Sequence, residues 1–127
     1  MAAARAMTVP LIAAVVSCTP SDDDFFQAVR RHIQSGPSAA CCTGPGGQVD
    51  PGCAREAKTR CAFVDGANIE LIHVNRVGHG YSATVEVELT GPAGAGWCRH
   101  QVTKDGPLRV EGGACAAGKG PWSAGGP

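Results

Sequence analysis

Seven cysteines and four histidines carry most of the reactive chemistry open to this 127-residue chain. Cys41, Cys42, Cys53 and Cys61 are close enough in sequence to supply four thiolates to a zinc ion in a reducing compartment. No C-x-x-C pair occurs among them, and vicinal cysteines are awkward tetrahedral ligands, so no metal or other cofactor is expected. His73 lies in a run of alternating character with Ile69 and Leu71 on its side, and His100 lies in a second such run. If both enter one cavity they could serve acid–base work with Asp65 or Glu70. The plainer reading is histidines that are satisfied or at the surface, with His32 on a helix and His79 in a turn. The chain has no G-x-S-x-G and no H-E-x-x-H. Gly44-Pro45-Gly46-Gly47 follows no strand and precedes no basic residue, which makes it a connector rather than a phosphate cradle.

Cys18 stands apart from the other six. Met1 to Ala6 carries Arg5 and no acid, and Met7 to Val16 is almost wholly apolar. At about 1.5 Å per residue that apolar run reaches roughly half of a ~30 Å hydrocarbon core. Such a length suits the h-region of an export signal rather than a membrane span. The segment Val15-Val16-Ser17-Cys18 resembles a bacterial lipobox. That resemblance implies a diacylglyceryl group on the Cys18 thiol, cleavage before Cys18, and a protein held at a membrane through its N-terminal lipid. It also places the domain in the bacterial cell envelope, facing the periplasm or the exterior. Thr19 lacks the aspartate that resembles an inner-membrane retention signal, which points to the outer membrane in a host with two.

With Cys18 assigned to lipid, Cys41, Cys42, Cys53, Cys61, Cys98 and Cys115 form an even set. In a small exported domain such a set implies disulfides. The need for them is visible in the composition: 18 glycines, 9 prolines and 5% aromatic residues leave a thin apolar core. If residues 53–61 are helical, Cys53 and Cys61 lie about 12 Å apart along the axis, beyond disulfide reach. Adjacent Cys41 and Cys42 pair poorly with each other. The expected pattern joins Cys41 and Cys42 each to one of Cys53 and Cys61, and Cys98 to Cys115. The full chain is neutral, so it carries no electrostatic footprint for nucleic acid.

The elements that must position these groups follow from pattern. Ser21 before Asp22-Asp23-Asp24 caps a helix at its positive end, and Phe26, Val29 and Ile33 recur at helical spacing with Phe25 beside them. Gly36-Pro37 closes it, and residues 36–49 read as a loop. Asp50-Pro51 opens a second helix with Cys53, Ala57 and Cys61 on one face, a face better held by sulfur than by large side chains. From Ile69 the period becomes two. Ile69–Val77 and the alternating run Tyr81–Thr90 form a hairpin around Gly78-His79-Gly80, Gly91–Gly96 is a loose connection, and Trp97–Thr103 with Leu108–Glu111 form another hairpin.

The predicted fold class is therefore α+β, two N-terminal helices on a four-stranded antiparallel meander, stapled by disulfides. Residues 1–17 are read as the signal, 18–21 as a lipidated tether, 22–115 as the domain and 116–127 as a Gly/Ala/Pro-rich disordered tail. Gly80-Tyr81-Ser82-Ala83-Thr84-Val85-Glu86-Val87 and Val102-Thr103-Lys104-Asp105-Gly106-Pro107-Leu108-Arg109-Val110 resemble the hairpins of cystatin-like, cone-shaped α+β domains. That resemblance implies a fold that hosts binding modules, inhibitors and enzymes alike. The expected function is a non-enzymatic envelope lipoprotein that binds a protein or small ligand, with Glu86, Glu88, Arg99, Arg109 and Glu111 as candidates for a docking face. The alternatives are an isomerase-like enzyme using a carboxylate in a cone-shaped cavity, or an inhibitor that inserts the Gly91–Gly96 segment into an envelope hydrolase.

Overall fold

Helix α1 (Asp22–Gln34) begins where the sequence places its cap. Ser21 Oγ accepts from the Asp24 amide at 3.1 Å while the Asp24 carboxylate accepts from the Ser21 amide at 2.9 Å, so the third acid of the triplet closes a capping box. The computed structural model describes residues 19–120. The expected signal segment and lipobox, with Cys18 in it, and most of the expected tail lie outside these residues. Along α1 it is Phe25, Ala28, Val29 and Ile33 that are buried, and Phe26 sits only at the core's margin.

Residues 36–49, expected as a loop, contain helix α2 (Pro37–Cys42) and a 3-10 turn at Pro45–Gly47. Gly36, at φ 123°, ends α1 by donating to Ile33 O and starts α2 by accepting from the Ala40 amide. Pro37 is then the first residue of a new helix rather than a stop, a position where its missing N–H costs nothing. Six residues are too few for a helix to persist alone. Burial of Ala40 and Cys42, and the sulfur bridges, hold α2 in place.

Helix α3 (Pro51–Arg60) is capped by Asp50, whose carboxylate accepts from the Cys53 amide at 2.9 Å. Ala57 is its one fully buried residue. Disulfides Cys41–Cys61 and Cys42–Cys53 tie both ends of α3 to the end of α2, and Cys98–Cys115 bridges the last two strands. The expected partition allowed two arrangements of the first four cysteines, and the structure takes Cys41–Cys61 with Cys42–Cys53.

The sheet contains β1 (Asn68–Val77), β2 (Ser82–Gly91), β3 (Gly94–Lys104) and β4 (Leu108–Ala117), antiparallel and in sequence order. Ala83, Val85, Val87 and Leu89 of β2 all face the helices and are buried. Among the described residues the helices cover one face of the sheet and leave the opposite face open. Strand β4 runs to Ala117, two residues into the expected tail. The Gly91–Gly96 connection is not loose: Gly91 pairs with Gly94, leaving Pro92 and Ala93 as a tight tip. Gly96 faces inward, where an added Cβ would run into the Phe63 ring. Gly96→Ala is therefore expected to destabilise the domain by about 1–3 kcal/mol through overpacking, measured as a lower urea midpoint at unchanged m-value.

Candidate functional site

The short helix α2 creates a demand for donors. Its last carbonyls have no complete set of helical partners, because the Gly44 amide turns away to Gln48 O at 2.7 Å. Two imidazoles from other elements fill that gap. His32 of α1 directs Nε2 to Ala39 O at 2.7 Å, with Thr43 Oγ1 at 2.9 Å sharing the same proton. Thr43 in turn donates its hydroxyl to Ala39 O at 2.6 Å. His100 of β3 directs Nε2 to Ala40 O at 2.7 Å. The two rings meet edge to face, centroids 5.4 Å apart.

These contacts fix the His100 tautomer. A carbonyl only accepts, so Nε2 carries the proton and the lone pair is on Nδ1. That Nδ1 is buried and has no hydrogen-bond partner among the described residues. Burial pushes the His100 pKa down to about 4; the bond to Ala40 O works against the shift and the neighbouring His32 adds to it. His32 is also lowered, by burial first, with its bond to Ala39 O opposing. Both rings are thus neutral near pH 7. The Cys98–Cys115 bridge lies beside His100, and Cys115 Sγ is 3.3 Å from Ala40 O. A disulfide sulfur has no proton to give, so that approach is a contact and not a hydrogen bond.

His73 and His100 do not meet. A bulge between Leu71 and His73 shifts the register of β1, so that Leu71 stands opposite Val87 and His73 opposite Glu86. His73 therefore faces the open side of the sheet, with Glu70, while His100 faces the helices. Asp65 is exposed at the edge of a cleft of about 250 Å³ shared with Ile33, Val64 and Ile69, and neither Glu70 nor His73 enters it. Among the described residues the proposed acid–base group is not assembled. The four cysteines considered as zinc ligands are all tied in disulfides.

The charged face is assembled in part. Arg99 pairs with Glu86 at 2.7 Å across β2 and β3, and its guanidinium lies 5.6 Å from the centre of the Trp97 ring. Glu88 and Glu70 oppose each other on the same face. Arg109 forms a separate group at the sheet's end, 2.9 Å from Glu111 and 3.2 Å from Asp105. The bond to Glu111 raises the Arg109 pKa, and the same bond holds the Glu111 carboxyl below its usual range, with a further hydrogen bond from Thr103.

Sequence reasoning missed the His32–His100 contact. Its one visible trace was that a histidine occupied an inward position of β3, between Cys98 and Val102. No helix of the described residues is long and apolar enough to cross a membrane. Compared with known proteins, the chain matches no family model, no curated protein and no solved structure.

Proposed function

We propose that this chain is an exported, lipid-anchored module of the bacterial envelope that binds a protein partner through the open face of its sheet, without catalysing a reaction. The observation that carries the reading is the pairing of Cys41, Cys42, Cys53, Cys61, Cys98 and Cys115 in three bridges. A small domain that depends on disulfides is suited to an oxidising compartment. The open face supports the binding half of the reading. It presents an aromatic ring, Trp97, beneath Arg99, and flanks them with Glu86, Glu88, Glu70 and His73. Aromatic and arginine side chains are the usual anchors of protein interfaces.

Intact mass of the protein from its host's membrane fraction tests the anchor. A diacylated N-terminus at Cys18, with a gain of two hydrogens per bridge on reduction, is the expected result. An unprocessed Met1 with free thiols would overturn it. For the binding face, a photo-crosslinker in place of Glu88 should give one discrete adduct in cells, while one in place of Arg30 on the helical side should give none. Equal labelling from both positions would remove the sheet face from the proposal.

A further inference from the structure

The Sγ atoms of Cys98 and Cys115 and a ring nitrogen of His100 lie within 4.8 Å of one another. The backbone arranges them. Cys98 and His100 are alternate residues of β3 and share its inner face, and the register sets Cys115 directly opposite Cys98. Gly113, opposite His100, leaves the imidazole its space: a Cβ there would overlap the ring. An imidazole that keeps an unpartnered lone pair in the interior is costly, and a buried polar atom of this kind calls for a physical explanation such as an ion. In the oxidised state the bridge leaves no thiolate to bind one. Reduction would expose a different donor set: two soft thiolates and one borderline imidazole, three donors in all.

We propose that reduction of Cys98–Cys115 converts this cluster into a site for a soft monovalent metal ion, Cu(I), held by Cys98, Cys115 and His100. The reductant is a dithiol. Its two sulfurs deliver two electrons to the S–S bond and become a disulfide, and its two protons leave Cys98 and Cys115 as thiols. Cu(I) then displaces both thiol protons to solvent, forming two Cu–S bonds and one Cu–N bond. Cys115 is partly exposed and receives the attack, while Cys98 is fully buried and is the leaving sulfur. Among the described residues no fourth Cys, His, Asp or Glu joins the group. Zinc held by two cysteines and one histidine completes its tetrahedron with a water, whereas Cu(I) is satisfied by three donors; Cys98 and His100 are fully buried, which favours the ion that needs no water.

The test reduces the full chain anaerobically with dithiothreitol, removes the reductant, and titrates Cu(I) against a colorimetric chelator. A C98S/C115S variant treated identically keeps the other cysteines, so their uptake cancels. The wild type is expected to take up one more equivalent than the variant, and His100→Gln to weaken that equivalent by about 10-fold or more. Imidazole 15N resonances of the wild type need no variant: those of His100 should shift as the equivalent is added. Equal uptake by the wild type and C98S/C115S, or a His100 ring that does not respond, would overturn the proposal.

Discussion

Acidification from pH 7 to pH 4 is expected to remove about 3 kcal/mol of folding stability from the oxidised domain through His100 alone. In the unfolded chain His100 takes a proton near its ordinary value of 6.5, while in the fold it does not until about pH 4. Between those values the unfolded state binds more protons, so stability rises with pH. The contribution is complete above pH 6.5 and is lost as pH falls towards 4. Its source is geometric. Protonation would place a second N–H on a ring whose Nδ1 is buried without an acceptor, beside His32 on α1. His32, lowered in the same direction, adds to the loss over the same side of neutrality. Asp24 and Glu111 also have lowered pKa values, but their contributions begin to fade only as the pH falls through the ordinary carboxylate range, and Asp24 is an exposed group that solvent screens. Urea denaturation at a series of pH values measures the slope. Wild type should lose stability steeply between pH 6.5 and 4, and His100→Gln should flatten that interval whatever its stability at pH 7. An equal slope in the two proteins would refute the assignment.

Replacing Cys41, Cys42, Cys53 and Cys61 together by serine should detach α2 and α3 while the sheet persists. Each bridge closes a loop, with sequence separations of 20 for Cys41–Cys61 and 11 for Cys42–Cys53. The chain-entropy estimate is about 3 kcal/mol for either one, and the overlap of the two loops makes the combined effect smaller than the sum. Besides the bridges, α2 is held by the His32 and His100 bonds to Ala39 O and Ala40 O, and the apolar burial of both helices is small. Ala57 is the buried residue of α3, and Ala40 and Cys42 are those of α2. By contrast the sheet and α1 share Phe25, Val29, Ile33, Val85, Val87, Leu89 and Val102. Hydrogen exchange should therefore show lost protection across residues 37–61 and retained protection in β2 and β3. His100 would lose its acceptor at the same time, because Ala40 O belongs to α2. Uniform loss of protection throughout the domain would show that the helical pair is integral to the core.

Local physics makes several elements legible in the amino-acid sequence. The capping Ser21 and the acid triplet mark the start of α1, Asp50-Pro51 marks α3, and the unbroken alternation of Ala83, Val85, Val87 and Leu89 marks the inner face of β2. The disulfide partition is legible for a related reason. Helical rise separates Cys53 from Cys61 and adjacency separates Cys41 from Cys42, so each of Cys41 and Cys42 takes one of Cys53 and Cys61; which takes which is decided by the packed domain.

The expected loop at 36–49 is partly helical because burial of Ala40 and two sulfur bridges stabilise a segment too short to hold itself. The Gly91–Gly96 connection, expected to be loose, is a tight hairpin because the register carries both strands almost to its tip. His73 leaves the side of Leu71 because one bulge inverts every later position of β1, and the letters of the sequence do not mark where a bulge falls. The main elements, the wet and dry faces of β2 and the cysteine partition are readable from the chain, since each rests on local rules: caps, strand alternation, and the helical rise and adjacency that forbid Cys53–Cys61 and Cys41–Cys42. The meeting of His32 and His100 is not readable there and required the packed domain. Their neighbourhood exists because the unmet carbonyls of α2 draw donors from a helix and a strand far apart in the chain.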